Sequence, residues 1–207
     1  CTSLQNINSD NNQIILPSKI QTINSALFFA CYNLKGNITL PNGITIIKER
    51  AFEDCKSLRS IEISSKLDTI FSSAFNKTNN FTDFKGNNKY YNTDKGLLYS
   101  QNMNILYQCP KGYRNTCVIH DSTKIVNSYA FLNCTKIQHV ILDYVEEIRD
   151  NAFNGCINLK KISLGEHFYS LGNNRFDGCQ NLEQINVKKE NIYYKSVDGV
   201  LYSADMT

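Results

Sequence analysis

The feature that most constrains this chain is a motif that recurs every 22 to 24 residues. It reads roughly Φ-x-x-Φ-x-x-x-A-F-x-x-C-x-x-L-x-x-I-x-I, where Φ is aliphatic. The position of the Ala in this motif is occupied by Leu27, Ala51, Ala74, Ala130, Ala152 and Arg175. This period is too short for a repeat made of two helices, and it falls in the range of repeats that form one strand and one return segment per coil. The sequence therefore predicts a solenoid of stacked coils.

Burial explains why the motif recurs. A single coil cannot cover its own apolar side chains, whereas stacked coils bury them in one continuous core. In Leu58-x-x-Ile61-x-Ile63 the two isoleucines are two residues apart and point inward as in a strand, which leaves Glu62 outside. We expect short helical turns at the AF-x-x-C segments, and parallel neighbouring strands at Leu58–Ile63, Ile137–Leu142, Leu159–Leu164 and Leu182–Val187.

A second, longer period is superimposed on the first. The segment NKYYNTDKGLLYSQNM (Asn88–Met103) matches NIYYKSVDGVLYSADM (Asn191–Met206), and Gly96 and Gly199 are 103 residues apart. Each segment has the pattern strand, turn, strand, which is typical of a β-hairpin inserted at an edge of the solenoid. We therefore predict one array over residues 1–207, with coils at 14–87 and 114–190 and hairpin insertions at 88–113 and 191–207, the second of them truncated.

These nested periods resemble the BspA-like (Treponema pallidum-type) leucine-rich repeats. Besides the AF-x-x-C units, the resemblance rests on Leu16-Pro17, Leu40-Pro41 and the hairpin sequence Ser196–Met206. Thr78 in place of Cys and Arg175 in place of Ala depart from the family pattern. The resemblance implies a leucine-rich-repeat solenoid, a right-handed β/α superhelix that is mostly strand, with short helical turns and a parallel concave sheet. It also implies a secreted or cell-surface protein of bacteria or parasitic protists that acts in adhesion.

Charge and hydropathy exclude two classes of partner. The net charge is only +3 and no block of Lys and Arg occurs, which argues against nucleic acid. No apolar run approaches the roughly 20 residues that span a bilayer, so we expect no direct membrane insertion by this segment. Because the chain begins at Cys1 rather than at Met, we expect a segment of a longer or processed protein, with any signal peptide or anchor outside it.

Seven of the eight cysteines fall into two groups. Free cysteine behaves as a small hydrophobe, and Thr78 takes the same place in one coil, so we expect a column of buried thiols at Cys31, Cys55, Cys134, Cys156 and Cys179. Cys109 and Cys117 are eight residues apart around a turn, and they could either pair or stay free. No C-x-x-C spacing occurs, so the sequence predicts no zinc site.

Nothing in the sequence favours catalysis. His120, His139 and His167 fall at different phases of the repeat, and no Gly-rich phosphate loop, nucleophile elbow or metalloprotease motif is present. Asp94 and Asp198 lie at the hairpin turns, where Asp is a common turn former. We therefore expect a protein that is not an enzyme and that binds no cofactor or metal.

The outward positions of the strands are the candidate partner-binding surface, because solenoids bind partners on the extended face that their strands form. The candidate residues are Glu62, Asp83, Lys85, His139, Ile141, Lys161, Ser163 and Gln184. Ile141 is apolar where its equivalents are polar, and an apolar residue ringed by polar ones is typical of a small hot spot. We expect a protein, extracellular-matrix or host-surface ligand here. The alternatives are binding through the hairpins, or a spacer or stalk repeat without a ligand of its own.

Overall fold

The computed structural model describes residues 7–8, 13–14 and 19–205, which form two compact units. Leu16, Pro17 and Met206 of the predicted motifs lie outside the described residues. The first unit contains the described residues through Asn102 together with Pro110–Gly112, and the second contains Met103–Cys109 and the described residues from Tyr113 onward. The described residues contain short strands and no helix.

The strands of the first unit are β1 (Ile7–Asn8), β2 (Gln13–Ile14), β3 (Thr22–Ile23), β4 (Gly36–Thr39), β5 (Ile46–Ile47), β6 (Leu58–Glu62), β7 (Thr69–Ile70), β8 (Asp83–Lys85), β9 (Tyr91–Asp94) and β10 (Leu97–Ser100). Those of the second unit are β11 (Ile105–Gln108), β12 (Asn115–Val118), β13 (Ile125–Val126), β14 (Ile137–Leu142), β15 (Glu147–Ile148), β16 (Lys161–Leu164), β17 (Ser170–Leu171), β18 (Gln184–Val187), β19 (Tyr194–Val197) and β20 (Val200–Ser203).

The first unit has a main sheet and a narrower one, each built from successive coils. The main sheet has the order β1-β2-β4-β6-β8, and its pairs are parallel apart from the antiparallel pair of β1 and β2. Its register aligns Ile38 with Ile61 and Ile61 with Phe84, so apolar side chains of equivalent phase stack from coil to coil. The narrower sheet, β3-β5-β7, is parallel. β9 and β10 form an antiparallel hairpin, as predicted.

The second unit repeats this plan. Its main sheet is β12-β14-β16-β18, the strands β11-β13-β15-β17 form the narrower parallel sheet, and β19 and β20 form the second predicted hairpin. The parallel pairing of the last three predicted repeat strands is therefore confirmed, although β16 and β18 begin two residues later than expected. Leu58–Ile63 forms β6, which is also parallel to its neighbours β4 and β8. Its predicted place beside the other three strands was wrong, because it belongs to the first main sheet, and a hairpin rather than another coil follows β8 in the chain.

The AF-x-x-C segments form consecutive tight turns instead of the predicted helical turns. The N–H groups of Phe52 and Asp54 donate to the carbonyls of Ala74 and Asn76 in the next coil, at 2.8 and 2.9 Å. The N–H group of Glu53, which lies between them, closes a local turn onto the carbonyl three residues back. Because alternate N–H groups bond to the next coil, the i→i−4 ladder of an α-helix does not form.

Left-handed backbone conformations recur at two positions of these turns. The residue before the repeat cysteine has a positive φ at Asp54, Asn133, Gly155 and Gly178. The residue before the Ala-Phe pair has a positive φ at Arg50, Tyr129 and Asn151. An α-helix requires an unbroken run of right-handed residues, so left-handed residues at this spacing exclude it.

The repeat phenylalanines form a continuous stack inside each unit. In the first unit the ring centroids of Phe28, Phe52 and Phe75 follow one another at 5.1 and 5.3 Å, with nearly parallel planes. In the second unit Phe153 lies 4.7 Å from Phe131. These rings are at most 1% exposed, so they are large side chains of the core.

The repeat cysteines both fill space and donate weak hydrogen bonds. Each of three thiols donates to the carbonyl of the phenylalanine one coil earlier, at 2.9 to 3.2 Å: Cys55 to Phe28, Cys156 to Phe131 and Cys179 to Phe153. Thr78, which replaces a cysteine, donates its hydroxyl to the carbonyl of Phe75 in its own coil. A hydroxyl can therefore replace the thiol without leaving a buried polar group unpaired.

The predicted column of buried thiols is confirmed at three of its five positions. Cys55, Cys134 and Cys156 are buried and free, and Cys179 is free but only partly buried. Cys31 is instead disulfide-bonded, and its partner lies outside the described residues. A disulfide needs a second sulfur in bonding geometry, which the repeat spacing alone does not reveal.

The open question of Cys109 and Cys117 is answered by the structure. Both are buried and free, so they do not form a disulfide with each other. Their thiols are hydrogen-bond neighbours, and burial, followed by this hydrogen bond, raises the pKa of Cys109. Both cysteines therefore belong to the buried core of the second unit.

An asparagine, buried at Asn191 and half-buried at Asn88, anchors each hairpin to the preceding coil. The side-chain amide of Asn191 donates to the carbonyls of Gly165 and Phe168 at 3.0 and 2.8 Å. Its oxygen accepts the N–H groups of Tyr193 and Tyr194, both at 2.8 Å. Asn88 makes the four equivalent bonds around the first hairpin, with Ser64, Leu67, Tyr90 and Tyr91. Every hydrogen-bonding group of these amides is satisfied, and the shared pattern fixes which residues of the two hairpins correspond.

We predict that the phenylalanine stack carries a large part of the stability. Phe153 is fully buried between neighbouring rings, so Phe153→Ala should lower the free energy of unfolding by about 3–5 kcal/mol, measured by chemical denaturation followed by circular dichroism. Phe176, at the end of the same stack, is only partly buried and is the matched control. Phe176→Ala should cost clearly less, and equal losses in the two variants would contradict this account of the core.

A second prediction concerns the thiols. A hydrogen bond from Cys156 lowers the pKa of the partly exposed Cys179, although burial acts in the opposite direction. Burial raises the pKa of Cys55 to about 11. Because the thiolate is the reactive form, a thiol reagent added to the native protein should modify Cys179 first and reach Cys55 only after unfolding. Mass spectrometry of the labelled peptides measures this order. Modification of Cys55 at the rate of Cys179 would show that the reagent reaches the core of the native protein, which would contradict the burial of Cys55.

Candidate interaction surface

The first strand face consists of the outward residues of the first main sheet: Asn37, Thr39, Glu62, Asp83 and Lys85. Glu62 and Lys85 are exposed register partners on β6 and β8, and Asp83 is half-buried. Ser60 has the outward phase too, yet it is only 1% exposed and donates its hydroxyl to the Asn37 side chain at 2.7 Å. This face is polar at every one of its outward positions.

The second strand face consists of the outward residues of the second main sheet: Thr116, Val118, His139, Ile141, Lys161, Ser163, Gln184 and Asn186. The strand register aligns His139 with Lys161 and Lys161 with Gln184, as the sequence predicted. It likewise aligns Ile141 with Ser163. Five of the eight predicted residues therefore come together here, and the other three lie on the first strand face.

Val118 is a member of this face that the sequence analysis missed. It is the register partner of Ile141 on β12, and it is 40% exposed, whereas Ile141 is half-buried. β12 lacks the Leu-x-x-Ile-x-Ile pattern that marks the other strands, although Cys117 and Ile119, two residues apart, have the spacing of inward side chains and leave Val118 outside. Two adjacent apolar side chains, one exposed and one half-buried, thus lie among polar ones.

The charge of the second strand face comes from Lys161. The ring Nε2 of His139 lies 2.9 Å from the Ser163 hydroxyl. Burial, and then the positive charge of Lys161, lower the pKa of His139, so its imidazole is uncharged at neutral pH. The face therefore presents one cation beside an apolar pair.

His139 and Ser163 are the residue types of a catalytic base and its nucleophile, but no described contact of His139 supplies the third group that orients the base in an enzyme. A catalytic histidine is normally held by a third group, commonly a carboxylate, that fixes its tautomer. The described contacts of His139 include Lys161 and Ser163 and no carboxylate. Both residues also lie on an open sheet face rather than in a cleft that could exclude water.

Within residues 7–8, 13–14 and 19–205, no three His, Cys, Asp or Glu side chains are grouped so as to hold a metal ion. In that part of the chain, no helix has the length and apolar character needed to cross a membrane.

Short parallel strands stacked coil upon coil, with an open polar face, define the class of β-solenoid repeat proteins. The family model of the BspA-type leucine-rich repeat region matches the chain in 6 copies, over residues 1–111 and 102–197. The chain therefore belongs to the BspA-type leucine-rich repeat family.

Solved structures of bacterial leucine-rich repeat proteins share this fold. A leucine-rich repeat protein from Eubacterium ventriosum is 22% identical, with a TM-score of 0.58, and the match covers 85% of this chain and 60% of that one. A leucine-rich cell surface protein from Faecalibacterium prausnitzii is 20% identical (TM-score 0.52; 85% and 59% covered). The leucine-rich repeat protein of T. pallidum is 22% identical (TM-score 0.51; 84% and 79% covered). No curated protein sequence matches the chain.

Proposed function

We propose that this chain is a protein-interaction module of a secreted or cell-surface protein, and that it binds a protein partner through the second strand face. The observation that carries the proposal is the adjacent apolar pair of Val118 and Ile141, aligned in register and surrounded by polar side chains. Hot spots of protein interfaces have this composition, with apolar anchors at the centre and a polar rim.

Family membership supports the cellular location in this proposal. The chain belongs to a leucine-rich repeat family, and the similar F. prausnitzii protein is described as a cell surface protein. Stacked repeats expose an extended sheet whose outward positions are free to vary, which suits the recognition of macromolecules. The partner in this proposal is a protein of the extracellular matrix or of another cell's surface.

The proposed role is binding without catalysis. The contact between His139 and Ser163 lacks a carboxylate partner and lies on an open face. The two groups instead add hydrogen-bonding capacity to the rim around Ile141.

A spacer function is the second candidate, and the first strand face favours it. Its outward side chains are all polar, and Glu62 lies opposite Lys85 on the neighbouring strand, where opposite charges favour each other. A unit with such a face is suited to extending a chain of coils. The two candidates differ in one measurable property, since a spacer binds no partner.

Binding to a panel of purified extracellular-matrix and cell-surface proteins, measured by surface plasmon resonance, tests this function. For any protein that binds, Ile141→Asp and Lys161→Glu should each weaken the affinity about 30-fold, the factor that corresponds to losing a hot-spot residue. Both side chains point outward from β14 and β16 and are half-buried, so the fold, followed by circular dichroism, should stay intact.

Lys85→Glu is the matched control, because it makes the same charge reversal on the first strand face. It should leave the affinity unaltered. If no protein of the panel binds, the spacer function is favoured. If the Ile141 and Lys161 variants bind as tightly as the natural chain, the partner uses another surface, and the hairpins are the next to test.

A further inference from the structure

A groove on the second unit is lined by aromatic and acidic side chains, which lie in loops rather than on the strands. It has a volume of about 370 Å³ and is formed by the loops after β14, β16 and β18. We call it the tyrosine groove; its lining residues are Glu146, Glu166, His167, Tyr169, Glu190, Ile192 and Tyr193. Its residues come from three successive coils, so the groove exists only when the coils are stacked.

The apolar part of the groove is unusually exposed for this protein. Tyr169 and Tyr193 are each 50% exposed, and Ile192, at 74%, is the most exposed large hydrophobic side chain among the described residues. The centroids of the two tyrosine rings are 5.9 Å apart, and their planes are inclined at 57°. Two inclined ring faces form one side of a receptor for a cation, because the face of an aromatic ring attracts positive charge.

The charged part of the groove is negative. Glu146 pairs with Lys124 at 2.9 Å, and Glu166 lies 3.3 Å from His167. Glu190 is exposed, and no ion pair involves it among the described residues. Three carboxylates therefore outnumber the two basic groups even when His167 is protonated.

The first unit shows that the repeat does not require these residues. The equivalent hydrogen bonds of Asn88 and Asn191, together with the equivalent backbone hydrogen bonds between coils, align the residues of the two units. The aligned pairs are Glu146 and Thr45, Glu166 and Ser65, Tyr169 and Asp68, Glu190 and Asn87, and Ile192 and Lys89. Only Tyr193 has a like counterpart, Tyr90. The same fold is thus built in the first unit without the three carboxylates, so they are not needed for folding.

We propose that the tyrosine groove binds the cationic side chain of an arginine or lysine in an exposed basic segment of a protein partner. A guanidinium or ammonium group within about 6 Å of a tyrosine ring gains a cation–π attraction, and carboxylates beside it add charge-assisted hydrogen bonds. The aliphatic stem of the same side chain packs on Ile192. This site is separate from the second strand face and does not depend on it.

The test uses a fluorescently labelled octapeptide of alternating arginine and serine, and its binding to the whole chain is followed by fluorescence anisotropy. The control peptide has citrulline, the uncharged analogue of arginine, at every arginine. The chain carries a net charge of +3, which disfavours non-specific attraction of a basic peptide. The arginine peptide should bind, and the citrulline peptide should bind at least about tenfold more weakly.

Two substitutions test whether the groove is the site. Glu190→Asn and Ile192→Lys introduce the residues that the first unit already has at these positions, Asn87 and Lys89, so the fold should tolerate them. Each should weaken the arginine peptide about tenfold. Asp177→Asn removes an exposed carboxylate elsewhere on the second unit and should leave binding unaltered.

The proposal is overturned if the arginine peptide does not bind, if both peptides bind alike, or if the Glu190 and Ile192 variants bind like the natural chain. Ile141→Asp, on the second strand face, should leave the peptide affinity unchanged. The proposal for the tyrosine groove and the proposal for the second strand face can therefore be refuted independently of each other.

Discussion

The structure depends on hydrogen bonds that run from each coil to the next along the turns opposite the main sheets. Phe131 and Asn133 donate to Ala152 and Asn154 in the following coil, each at 2.8 Å, just as the strand amides do on the other side. Backbone N–H groups that are buried without a partner are costly, so a coil without its neighbour would lose both its buried core and these bonds. The stack is stable because each coil covers the core of the coil before it and accepts the hydrogen bonds of its turn amides.

Much of the fold could be predicted because the repeated positions of the apolar residues indicate which side chains are buried. The period set the coil length, and the phase of Leu, Ile and Phe indicated which side chains stack. The prediction of helical turns was wrong because the residue before the repeat cysteine adopts a left-handed conformation, which interrupts a helix. In four coils that residue is Asp54, Asn133, Gly155 or Gly178, and Asp, Asn and Gly are the types that most readily adopt a left-handed conformation; Ala30, before Cys31, adopts it as well.

The candidate surfaces contain some residues that the sequence could predict and others that it could not. Repeat phase correctly put His139, Ile141 and Lys161 on one face, because register follows from equal spacing. Phase could not show that Val118 joins them, or that Ser60 is buried, since both depend on neighbouring strands. The tyrosine groove lies in loops where the two units differ in sequence, so no repeat pattern pointed to it.

Amide hydrogen exchange tests the coil-to-coil bonds most directly. If they hold the stack together, the turn amides of Phe131 and Asn133 should exchange as slowly as strand amides such as that of Val140, at least about a thousandfold slower than in an unfolded chain. Protection confined to the strands, with these turn amides exchanging at nearly the unfolded rate, would show that the turns are not bonded to the next coil and would contradict the account.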